Sequence, residues 1–215
     1  MHLLNNVHYV ILCSILYCCC RLFNNIIMIS LYMHIVFFDI DKNIVRTYMA
    51  YVSKYASDMN ATFVNSDVGQ LLCGNKIDAL ISPANSFGDM TGGIDKVYSK
   101  MFPNIGKIVK DMIAKLGKNC NGRYYLPVGA NITVMTNDPI CHFMIVMPTM
   151  FLPKSIKDTN SIYNAFYGLL LNYYDKKVTL ACPGLGTGIG GLTPEESIKQ
   201  IINAFRDFKI NNPGI

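Results

Sequence analysis

Between Ile77 and Asp95 the chain reads IDALISPANSFGDMTGGID. Ala79-Leu80-Ile81 is a short apolar run of the kind that a strand buried on both faces requires. It ends in a loop of residues that break regular structure, with Pro83, Asn85, Gly88, Gly92 and Gly93, and a helix is predicted from Asp95 to Phe102. A second stretch repeats this order. Val178 to Cys182 reads as a strand, PGLGTGIGG comes next from Pro183 to Gly191, and a helix opens at Thr193-Pro194-Glu195-Glu196. There Thr193 is placed to cap, Pro194 sits at the first helical position and Glu196 completes a capping box.

Working outward from these two units, His34 to Asp39 reads as a strand. It leads into a helix on which Ile44, Val45, Tyr48, Met49, Val52 and Tyr55 recur at three- and four-residue spacing. Thr62 to Asn65 is another strand, with a loop after it at Ser66 to Gly69. A helix is expected at Ile105 to Leu116, strands at Asn131 to Thr136 and Phe143 to Met147, and a helix face is marked by Ile162, Phe166, Leu169, Leu170 and Tyr173. Short apolar runs alternating with helical periodicity indicate a layered α/β fold rather than a sandwich or a bundle.

The chain has 215 residues, 51% hydrophobic and 15% charged, with a mean hydropathy of +0.27, which excludes a disordered or fibrous chain. One domain is expected over residues 33–215. The net charge of +5 suits an anionic ligand, but no Lys/Arg run demands nucleic acid.

Residues 1–32 differ from the rest. They carry one formal charge, Arg21, and half of the eight cysteines, at Cys13, Cys18, Cys19 and Cys20. The apolar stretch from Val7 to Cys20 is short for a bilayer span, which takes about 20 residues. Extending it to Phe38 would put Arg21, Asn24, Asn25 and His34 into hydrocarbon. An anchor that contacts a membrane therefore stays open beside a dispensable tail or a true start at Met33; the strand-like run right after Met33 favours the latter two. Cys73, Cys120, Cys141 and Cys182 have no C-x-x-C spacing, so neither a zinc site nor a disulfide framework is indicated, and a reducing cytoplasm fits.

Both glycine loops come after a strand and precede a helix. Glycine lets backbone N–H groups approach an anion, and the helix N-terminus adds a favourable dipole, so each loop suits a phosphate and the pair suits a diphosphate. The competing role is a tight strand-to-helix turn. A formal G-x-G-x-x-G stands at Gly186, Gly188 and Gly191, yet the segment after Gly191 leaves room for one helix and no returning strand, so a dinucleotide-binding unit is not expected. No G-x-x-x-x-G-K-[ST] is present, and His2, His8, His34 and His142 all lie outside the loops. That argues against ATP hydrolysis and against serine-triad or zinc-hydrolase chemistry. What remains is the amide of Asn85 and the carboxylate of Asp95. An amide can hold ribose hydroxyls, and a carboxylate near a diphosphate can orient or deprotonate water. Their competing roles are turn-former and helix N-cap.

Taken together, Asp67-Val68 after the second strand, IDALISPANSFGDMTGGID, and PGLGTGIGG before a closing helix resemble the macrodomain family from about Met33 to Phe208. The resemblance implies a three-layer α/β/α sandwich with a mixed central sheet and a cleft for ADP-ribose at the strand ends. By position, it implies that Asp67 accepts from the adenine amino group, with Val68 beside it, and that Asn85 contacts the distal ribose. Gly92, Gly93 and Ile94 would form one phosphate loop, and Gly186, Thr187, Gly188, Ile189 and Gly190 the other. Asp95 matches an aspartate which, in members that remove ADP-ribose from acidic side chains, is associated with the attacking water. Two departures stand out: Thr91 replaces a glycine common in the family, and Gly190 replaces an aromatic that often lies against the distal ribose.

The leading expectation is thus an ADP-ribose-binding domain that hydrolyses an ADP-ribosyl ester or a related derivative through Asn85 and Asp95. A non-catalytic reader of ADP-ribosylated protein or nucleic acid is the alternative. No metal or cofactor is expected, and a monomer is. Direct binding of a nucleic-acid strand is the lesser expectation, because the tyrosines do not cluster along the sequence.

Overall fold

The computed structural model describes residues 32–214, so the expectations of an anchor, a tail or a later start for the N-terminal extension lie outside the described residues. Among the described residues no helix is long and apolar enough to cross a membrane.

The chain alternates strands and helices in this order: β1 (His34–Asp39), α1 (Lys42–Tyr55), β2 (Ala61–Asn65), α2 (Val68–Gly74), β3 (Ala79–Ser82), α3 (Gly93–Met101), α4 (Ile105–Leu116), β4 (Lys118–Cys120), β5 (Arg123–Tyr125), β6 (Ile132–Met135), β7 (Phe143–Val146), α5 (Ser161–Tyr173), β8 (Thr179–Pro183) and α6 (Pro194–Asn211). Six strands form one sheet in the order β2-β1-β8-β3-β7-β6. All its pairings are parallel except β6 with β7, so the sheet is mixed.

Successive residues on a strand point to opposite faces, and here both faces are covered. Ile35 and Phe37 of β1 and Cys182 of β8 pack with Tyr48 of α1, Phe166 of α5 and Ile201 of α6. Val36 and Phe38 of β1 and Ala181 of β8 pack with Leu71 of α2, Tyr98 of α3 and Val109 of α4. This is the three-layer α/β/α arrangement, and it explains why the central strands read as unbroken apolar runs.

Three elements go beyond the sequence expectations. The stretch Ser66 to Gly69, expected as loop, contains the start of α2, whose N-cap is Asp67. At seven residues α2 is too short for a helical period to show. β4 and β5 form a hairpin across Asn121 and Gly122, whose φ angles of 51° and 80° are those a two-residue turn needs. The Asn-Gly pair is a turn signal, but no apolar alternation flanks it, because the hairpin is almost wholly exposed.

Candidate functional site

The parallel strands end on one side of the sheet, where a cleft of about 1090 Å³ opens. Clefts at the carboxyl ends of strands are the usual ligand sites of open α/β sheets. The sequence-predicted residues that line it come from three places: Asp67 and Val68 after β2, Asn85 and Gly92 to Asp95 after β3, and Gly186 to Gly190 after β8. Folding therefore brings every one of them to a single cleft.

At the β2 end, Asp67 is exposed and its Oδ1 accepts from the Gln70 N–H at 2.9 Å, which starts α2. Val68, the next residue, is buried.

In the first glycine loop, Asn85 is buried at 7% exposure. Its Oδ1 accepts from the Phe87 N–H at 2.9 Å and the Asp89 N–H at 3.4 Å. Two backbone donors on that atom fix it as the oxygen, which leaves Nδ2 as the end without a protein partner among the described residues. Asn85 thus forms the turn through one atom and leaves its Nδ2 donor without a protein partner among the described residues.

Asp95 departs from the helix-cap expectation. The N-cap of α3 is Gly92, and Asp95 lies inside the first turn with its side chain turned inward. It is 6% exposed, and its Oδ1 accepts from the Ser82 Oγ–H at 2.6 Å. Burial pushes its carboxyl up to about 6, opposed by the Ser82 hydrogen bond. Oδ2 has no protein partner among the described residues. A carboxyl that exchanges its proton near neutrality, with one oxygen held and the other free, can act as a general base.

The second loop is anchored from below. Leu185 N–H donates to Tyr48 Oη at 3.2 Å, Ser197 Oγ donates to Leu185 O at 2.6 Å, and Tyr48 Oη donates to Ser197 Oγ to close the ring. Asp39 Oδ2 accepts from Gly184 N–H at 3.3 Å. Within the loop, Leu192 N–H donates to Gly186 O and Gly191 N–H to Gly188 O, both at 3.0 Å. A Cβ on Gly190 would lie 2.6 Å from Gly186 O and 3.0 Å from Gly186 Cα. The absence of an aromatic at 190 is thus built into the path of the backbone. Ile189 reaches across the cleft, its Cδ1 being 3.2 Å from where a Cβ on Gly92 would stand.

Sequence reasoning missed Asp39, Asp41, Asp89, Thr149, Met150 and Pro153, which also line the cleft. Several of them stand within a few residues of a strand end, so inspecting the residues just past each strand of the sheet would have found them. It also missed an aromatic group beside Asn85. Phe87, Tyr125 and Phe151 pack with ring centroids 5.1 to 6.3 Å apart, and Arg123 lies over Phe87 at 3.7 Å. Those residues come from three separate segments, so no sequence window contains the group.

The chain is similar to known proteins in sequence and in fold. The Macro domain family model matches residues 81–201, more than half of the chain. An uncharacterised protein of Aquifex aeolicus (strain VF5) is 26% identical over 134 residues, which cover 61% of this chain and 74% of that protein. The macrodomain of Mycobacterium tuberculosis DarG superposes with a TM-score of 0.52 at 21% identity, over 68% of this chain and 90% of that one. The Oceanobacillus iheyensis macrodomain gives a TM-score of 0.51 at 20% identity, over 64% of this chain and 72% of that one. At those identities the structural likeness speaks for the fold. With the family match spanning both glycine loops, the chain belongs to the macrodomain family.

Proposed function

We propose that the cleft binds ADP-ribose and that the protein hydrolyses an ADP-ribosyl ester on a macromolecule, with Asp95 as the general base. The observation that carries this reading is the state of Asp95: buried, tethered by one oxygen, and held near the pH at which a base works well.

Adenine lies against Val68, with its amino group donating to Asp67. The diphosphate lies between the Gly92-Gly93-Ile94 amides and those of Gly186 to Gly190, where backbone donors and the N-terminus of α3 offset its charge. Asn85 Nδ2 donates to a hydroxyl of the distal ribose and sets the angle of its anomeric carbon. Asp95 takes a proton from a water as that water attacks the carbon. The bond from the anomeric carbon to the ester oxygen breaks, and its electron pair leaves with the acceptor carboxylate. That leaving group is stable as an anion, so the step needs no general acid. The products are ADP-ribose and the free acidic side chain.

Calorimetry of the full chain with ADP-ribose, against AMP, tests the binding half. A preference for ADP-ribose of at least tenfold is expected, and equal affinity would refute the two-loop diphosphate site. Release of ADP-ribose from an ester-linked ADP-ribosylated peptide tests the chemical half. Binding without release would make the protein a reader and refute the hydrolase reading.

A further inference from the structure

We infer that Ser82 is a positioning residue for Asp95, whose hydroxyl holds one carboxylate oxygen so that the other faces the cleft. For its chemical consequence the inference rests on the hydrolase reading above.

Ser82 ends β3, whose other three residues, Ala79, Leu80 and Ile81, are apolar and buried. A hydroxyl at a fully buried position costs free energy unless it is hydrogen-bonded. Its side chain makes one bond among the described residues, the 2.6 Å donation to Asp95 Oδ1. Its backbone is fixed, since Ser82 O accepts from Met147 N–H at 2.9 Å beside the β3–β7 pairing. One turn along α3, Tyr98 Oη donates to Ile81 O at 3.2 Å, so the helix is pinned to the strand at two successive strand residues. The hydroxyl therefore projects from an interior strand of the sheet onto one oxygen of a carboxylate that could otherwise rotate.

No charged partner shares this duty. The titratable groups packed nearby are Tyr98 on the same helix and, around Tyr98, the buried thiols of Cys182 on β8 and Cys141 before β7; burial pushes all three up, so they are neutral where Asp95 titrates. Lys96, the next residue, is exposed, and Asp89 in the loop is paired with Lys110 at 3.1 Å. Ser82 is thus the one hydrogen bond opposing the effect of burial on this carboxylate.

The test is a carbon-13 NMR titration of the Asp95 carboxyl in the full chain, comparing wild type with Ser82→Ala and Ser82→Thr and recording turnover of the ester-linked substrate at each pH. Removing the hydroxyl should move the Asp95 midpoint upward by about one pH unit and lower turnover about threefold at pH 6.5, where the ionised fraction would fall from about three quarters to about one quarter. ADP-ribose affinity should stay within twofold, and Ser82→Thr, which keeps the hydroxyl, should titrate like wild type. If the alanine variant does not fold, Ser82→Cys, with its weaker donor, should show a smaller upward shift. A serine that serves packing alone would lower the melting temperature and leave the midpoint in place, and that result overturns the inference. The titration needs no substrate, so a wild type without turnover refutes the hydrolase reading while the midpoints still decide the role of Ser82.

Discussion

The two glycine loops have the same pattern in sequence and are built for different work. In the loop after β3, side chains carry the capacity for chemistry: Asn85 presents its amide and Asp95 its carboxylate, each held through its other polar atom. In the loop after β8 the backbone dominates. A Cβ on Gly184 would lie 2.7 Å from Asp39 Oδ2, one on Gly186, whose φ is 70°, would lie 3.0 to 3.1 Å from three side chains, and one on Gly190 would meet Gly186 O. Only at Gly188 would a Cβ enter space with no heavy atom within 4 Å. One loop is thus a side-chain device and the other a rigid backbone cradle, and the reason for each glycine lies in the space around it.

The largest effect expected is on turnover. Asp95→Asn should lower it about 1000-fold, within the range for losing a general base, and leave ADP-ribose affinity within twofold by calorimetry. A variant that lost binding and turnover alike would erase the division of labour between the loops.

Gly190→Ala should come next, because its Cβ meets backbone rather than a flexible side chain. A loss of about 3 kcal/mol is expected, read by thermal melting as a fall of roughly 6–12 °C. A variant as stable as wild type would show that the cradle is softer than described.

The carboxylate proposed as the general base should also weaken the fold as pH rises. Asp95 binds its proton more tightly in the folded chain, with a midpoint of about 6 against an ordinary 3.8, than in the unfolded one. The stability this provides is complete below about pH 4 and is lost as pH climbs through 6. Asp95→Asn should therefore match wild type at pH 4 and exceed it at pH 8 by up to about 3 kcal/mol, measured by melting across pH.

Two smaller effects sharpen the contrast. Gly188→Ala should leave the melting temperature unchanged and weaken ADP-ribose binding about tenfold, or about 1.4 kcal/mol. Loss of stability without loss of binding would assign Gly188 to packing. Gly93→Ala, in open space but with a φ of 53°, should cost only the strain of that backbone, about 1 kcal/mol by melting.

The α/β alternation, the strand ends and the capping box of α6 are legible in the sequence because each is local, repeated within a few residues or signalled by one cap. The resemblance supplies the candidate site residues, and the fold brings them to one cleft. What sequence does not supply is nonlocal. Ser82 stands 13 residues from Asp95, and only the packing of α3 on β3 joins them. The group of Phe87, Arg123, Tyr125 and Phe151 forms only when the hairpin and the segment after β7 meet the first loop. Asp95 reads as a candidate cap in sequence because Gly92, with no side chain to announce it, takes that place in the fold.

The contact between Gly190 and the Gly186 backbone also constrains how such a loop can change over generations. An aromatic at 190 cannot arrive by one substitution without displacing a carbonyl 2.6 Å from its Cβ, so the 186 turn must reopen first. The order of steps matters: a lineage that changed 190 first would carry a destabilised protein, and one that loosened 186 first would be left with the softer contact to Ile156 Cγ1 at 3.0 Å. Sterics therefore oppose a direct step from a glycine form like this one to a form with a ring at 190.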